Sequence, residues 1–81
     1  MNSSAVGTRP KASEVSVSED ELTVLLADGR RISVPLAWFP RLLHASADQR
    51  RKFELLGDGE DIHWPDTDED LSVAGLLRGP S

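Results

Sequence analysis

Cysteine is absent from this 81-residue sequence. Without it there is no disulfide framework, no thiolate zinc site and no cysteine nucleophile. Tyrosine is absent too, which leaves Trp38, Phe39, Phe53 and Trp64 as the large aromatic rings. Long hydrophobic runs are missing: the longest aliphatic stretch is Val24-Leu25-Leu26-Ala27. A membrane-spanning helix needs about 20 apolar residues, so none is expected. The opening from Met1 to Thr8 has neither a charged n-region nor an apolar h-region. No secretory signal is expected there, and the expected location is cytoplasmic. At 8.9 kDa the chain has room for one small domain and not for two.

Basic residues are also absent from one long stretch. From Asp58 to Asp70 there are seven acids and no Lys or Arg. From Arg30 to Lys52 there are six basic residues against the single acid Asp48. Two such lobes can pair with each other or meet a partner. The net charge of −5 argues against direct nucleic-acid binding, because Lys and Arg contacts to phosphate supply most non-specific affinity.

What is present reads as an α+β domain over residues 13–78, between a disordered tail at 1–12 and a short C-terminal tail at 79–81. The first unit is a three-stranded meander. Val15 and Val17 alternate with serines, Leu22, Val24 and Leu26 follow at period two, and Ile32, Val34 and Leu36 complete the set. Asp28-Gly29 suits a type I′ hairpin turn. Pro35 cannot donate to a ladder and belongs at an edge or a strand end.

Helical signals come next. Pro40 suits a first helical turn, and Phe39, Leu42 and Leu43 form a stripe at i, i+3 and i+4. Ser46 with Gln49 reads as a capping box, so a second helical piece is expected from Ala47 through Leu56, closed by Gly57. One kinked helix and two short ones both satisfy this pattern. A short late strand at Ile62-His63-Trp64, a polar loop over 66–70 and a last helix capped by Ser72 finish the domain. The expected architecture is a small antiparallel sheet, the meander plus the late strand, with helices packed on one face.

Few residues suggest chemistry. Asp66, Asp68 and Asp70 have the spacing that opens a calcium-binding EF-hand loop. The sixth and twelfth positions should then be Gly and Glu, and they are Leu71 and Leu77. Gly57-Asp58-Gly59 lacks the Lys of a phosphate loop and is flanked by acids. No Ser sits in a G-x-S-x-G elbow, and His44 has no catalytic context. His63, near Asp61 and Asp66, could serve a small metal-dependent enzyme or ligand-binding protein. No second His stands within chelating distance in sequence. The residues therefore assign no catalytic group, cofactor or metal ligand.

The strings Asp28-Gly29-Arg30-Arg31-Ile32-Ser33-Val34-Pro35-Leu36-Ala37-Trp38-Phe39-Pro40-Arg41-Leu42, Ile62-His63-Trp64-Pro65 and Asp68-Glu69-Asp70-Leu71-Ser72 resemble the bacterial domain-of-unknown-function family 2442. The likeness runs from about Glu14 to Leu77. Asp61 replaces the Gly expected before Ile62, and Thr67 replaces a Leu. The resemblance implies the N-terminal α+β domain of larger bacterial proteins that carry a helix-turn-helix module, a module not expected within these 81 residues. It also implies a small neighbouring protein, in an arrangement like a toxin–antitoxin pair. It supplies no catalytic residues.

The expected function is therefore a non-catalytic protein-interaction module, antitoxin-like, with a small basic protein as partner and a homodimer left open. Its candidate surface is Trp38, Arg41, His63, Trp64, Asp68, Glu69 and Asp70, because Trp and Arg concentrate in interface hot spots. The alternatives are the His63 metal-dependent enzyme and a DNA-linked regulator that acts through a partner.

Overall fold

Leu22, Val24 and Leu26 are all buried on one face of a central strand, as their period-two spacing predicts. The computed structural model describes residues 10–79. The meander consists of β1 (Ala12–Val17), β2 (Glu21–Leu26) and β3 (Arg31–Pro35), in the order β1-β2-β3 and antiparallel throughout. Val17 and Val15 lie beside Leu22 and Val24 on one side, and Val34 and Ile32 on the other. β1 begins at Ala12, the last residue of the segment read as a tail. Residues 1–9 and 80–81 of the two expected tails lie outside the described residues.

The β2–β3 turn is not type I′. A type I′ turn needs positive φ at both central residues, and only Gly29 has it, at 97°. Gly29 N–H bonds Leu26 O, and Leu26 N–H bonds Arg30 O. The connection is therefore a three-residue loop, a type I turn followed by a left-handed glycine. Asp28 Oδ1 accepts from Arg30 N–H at 3.0 Å and ties the loop down.

A 3-10 turn at Leu36–Trp38 leads into two separate helices, α1 (Pro40–Leu43) and α2 (Ala47–Arg51). The capping box at the start of α2 is fully formed. Ser46 Oγ accepts from Gln49 N–H, and Gln49 Oε1 accepts from Ser46 N–H.

The structure then departs from the sequence reading. The helix stops at Arg51, and Glu54–Leu56 forms strand β4. Three successive left-handed residues, Gly57 (φ 59°), Asp58 (φ 61°) and Gly59 (φ 102°), reverse the chain into β5 (Asp61–Trp64). Glu69–Ser72, half of it read as loop, is strand β6. The late strand is thus the centre of a second three-stranded antiparallel sheet, β4-β5-β6. Helix α3 (Val73–Arg78) follows, capped by Ser72 Oγ on Gly75 N–H. The class is α+β, with two small sheets in place of one extended meander.

Both sheets, the 3-10 turn, α1 and α3 close on one core: Ala12, Leu22, Val24, Leu26, Val34, Leu36, Leu42, Ile62, Trp64, Val73 and Leu76. Gly59 joins the second sheet to the first. It packs so closely that a Cβ there would stand 2.3 Å from Ala12 O. Among the described residues no helix is long and apolar enough to cross a membrane.

Candidate functional site

β5 alternates Ile62 and Trp64 inward with Asp61 and His63 outward. Its partner β6 follows suit, because directly opposed residues share a face. Trp64 faces Glu69 and Ile62 faces Leu71 on the inner side, while His63 faces Asp70 on the outer side. This register brings His63 Nδ1 to 2.5 Å from Asp70 Oδ1. Across β4, Glu54 lies opposite His63 in the same row.

Asp61 shares the outer face of β5 with His63 and lies opposite Ser72, while Asp66 stands 3.9 Å from Lys52 Nζ. Among the described residues no group of three or more His, Cys, Asp or Glu side chains is placed to hold a metal ion.

The other candidate residues converge at the β6 edge. Arg41, on α1, donates from Nη1 to Asp68 O at 2.6 Å. Asp68 itself has positive φ, 54°, at the end of the β5–β6 turn. Glu69 is turned inward by the register, and burial pushes its carboxyl above the usual range. The Arg41 charge opposes that shift, and Asp70 and Asp68 add to it.

The 3-10 turn leaves Trp38 40% exposed beside a cleft of about 250 Å³. Trp38 and Phe39 form one wall, edge to face with ring centroids 6.4 Å apart. Asp70, Leu71 and Ser72 of β6 form another, and Gly75 and Leu76 of α3 complete it. The site is thus an exposed indole over a mostly apolar hollow, with a carboxylate at one side and an anchored guanidinium nearby. That combination suits recognition of a partner side chain.

Trp64 must be removed from the candidate surface. It is 0% exposed, packed on Phe53 at 6.3 Å between ring centroids. Its indole N–H is bonded to the Arg50 carbonyl, so even its polar edge faces inward. Trp38, Arg41, His63, Asp68, Glu69 and Asp70 form one connected region. Sequence reasoning missed the contributions of Leu71, Gly75 and Leu76. The Ser72 cap was the available signal for α3, but not for which of its residues would border a cleft.

The fold and site therefore define a small α+β domain with a cleft walled by Trp38 and Phe39. Residues 12–80 match the family described as "Protein of unknown function (DUF2442)", and the chain belongs to that family. Among curated proteins none matches it. A similar solved structure is the crystal structure of a protein of unknown function from Rhodospirillum rubrum ATCC 11170 at 2.75 Å resolution. The two share 34% identity over 89% of each chain, with a TM-score of 0.74.

Proposed function

We propose that this chain is a non-catalytic protein-interaction module that docks a small basic protein at the Trp38 cleft. The observation that carries the reading is the exposure of Trp38. A domain with so few aromatics keeps one of its two indoles at the surface, over an apolar hollow, while the other anchors the core. Such an indole has the geometry of an interface anchor.

Charge supports a basic partner. The segment from Asp58 to Asp70 carries seven acids and no Lys or Arg, and it runs up to the cleft. Complementary charge of this kind sets association rate and specificity more than affinity. The companion suggested by the family resemblance is a small neighbouring protein, which makes the chain the antitoxin-like half of a pair acting in the cytoplasm.

Capture of the tagged chain's companions, with mass spectrometry, tests this. The expected result is one dominant small basic companion, retained by the Leu56→Ala variant and lost by Trp38→Ala. Equal capture by Trp38→Ala, or no companion at all, overturns the reading.

A further inference from the structure

Successive residues of a strand point to opposite faces, so a surface touched by several in a row runs along the strand's edge. Residues 15–19 line one groove of about 560 Å³ in unbroken order, with α2 and Phe53 forming its far wall. The groove therefore follows the edge of β1. Among the described residues that strand is the outer member of its sheet and pairs with β2 alone.

The ladder shows which backbone groups are open. Ser18 N–H bonds Glu21 O at 2.9 Å, which fixes the alternation of the β1–β2 pair. Ser16 and Glu14 then turn their main-chain groups toward β2, while Val15 and Val17 turn theirs into the groove. Among the described residues no turn, loop or side-chain hydrogen bond reaches those groups. At the other end of β1 the close packing of Gly59 on Ala12 shuts the edge, so the opening is confined to the Val15–Val17 half.

The far wall is cationic, on a chain whose net charge is −5. The Arg51 side chain is 71% exposed and holds only the exposed Asp48. Arg50 donates to the carbonyls of Leu42, Leu43 and Ser18 and to no carboxylate. Val15, Val17 and Phe53 supply half-buried apolar surface beside these charges.

We propose that the open edge of β1 binds an extended acidic segment of a partner protein by strand addition. The added strand bonds the N–H and C=O groups of Val15 and Val17. Its inward side chains meet Phe53 and the Arg51 guanidinium, and its outward ones meet solvent. This groove, lined by Arg50 and Arg51 against the single acid Glu19, is separate from the Trp38 cleft, so the two surfaces can be tested independently.

The test is a titration of the ¹⁵N-labelled chain with a blocked hexapeptide of alternating valine and glutamate, and with its valine–lysine counterpart. Saturable shifts are expected at the Val15 and Val17 amides, with slower hydrogen exchange there. The glutamate peptide should bind at least about tenfold tighter than the lysine peptide. Arg51→Glu, a surface substitution, should abolish that preference, and Trp38→Ala should leave it unchanged. Absence of saturable shifts at Val15 and Val17, or equal binding of the two peptides, overturns the proposal. So does concentration-dependent protection of these amides without peptide, which assigns the edge to a second copy of the chain.

Discussion

The indole Nε1 of Trp64 donates to the carbonyl oxygen of Arg50 at 3.0 Å, and the guanidinium of that same Arg50 donates to Leu42 O and Leu43 O. One residue thus joins the centre of the second sheet to α2 through its backbone and to the end of α1 through its side chain. The last carbonyls of a short helix lack intrahelical partners; Arg50 supplies one to Leu43 O and adds another to Leu42 O, which Ala45 N–H already meets. Trp64→Phe removes the donor and part of the ring, leaving a carbonyl unpaired beside a cavity. The expected loss is about 2–4 kcal/mol in urea unfolding.

Arg50→Lys offers a sharper test of the guanidinium. A lysine keeps the charge but cannot reproduce the fork on two neighbouring carbonyls. A loss of about 1–2 kcal/mol is expected by the same unfolding assay, with α1 amides exchanging faster. An unchanged α1 would contradict the bridging role.

Two glycines with similar φ should respond differently to alanine. At Gly29 (φ 97°) an added Cβ would meet nothing within 4 Å, whereas at Gly59 (φ 102°) it would meet Ala12 O at 2.3 Å. Gly29→Ala should cost only the backbone strain, about 1 kcal/mol. Gly59→Ala adds a clash with main chain that cannot move without separating the sheets, and about 3 kcal/mol or more is expected. Thermal unfolding of the pair decides this.

The pH dependence of stability carries two opposite contributions. Glu69 titrates above its ordinary value of 4.5, chiefly because burial disfavours its charged form. Its contribution is fully present below the unfolded-state value and is lost as pH rises through the folded-state value. Asp28 titrates below its ordinary value of 3.8, chiefly because the Arg30 N–H bonds its carboxylate. Its contribution is present above the unfolded-state value and is lost as pH falls through the folded-state value. Glu69→Gln should therefore flatten the decline of stability above about pH 4.5. Asp28→Asn should remove part of the acid-side loss below about pH 4. Urea midpoints between pH 2 and 7 measure both.

The meander was legible because Leu22, Val24 and Leu26 obey a strict period of two and because Gly29 marks the turn. The capping box was legible because Ser46 and Gln49 are a local pair whose chemistry needs no tertiary context. β4 was hidden because Phe53, Leu55 and Leu56 continue a helical stripe as readily as they form a strand. The reversal that makes them a strand depends on left-handed geometry spread over Gly57, Asp58 and Gly59. β6 was hidden because Leu71 is its only apolar residue, and its inward Glu69 breaks the alternation.

The candidate site was readable in residue type but not in role. Trp38, Arg41, His63 and Asp70 stood out as chemically distinctive, and the fold gathers them. Which tryptophan faces solvent depends on tertiary packing. Trp64 shares a strand face with Ile62 and enters the core, whereas Trp38 sits on a 3-10 turn that lifts it over α3 and β6.

The measurement that tests the central claim most directly is titration calorimetry of the proposed basic companion, once purified, against the wild-type chain, Trp38→Ala and Leu56→Ala. Leu56 is as exposed as Trp38, at 45%, but stands on β4, the opposite edge of the second sheet from the cleft. The account predicts at least about a tenfold loss of affinity for Trp38→Ala and no change for Leu56→Ala. Equal affinity for Trp38→Ala and wild type would contradict it.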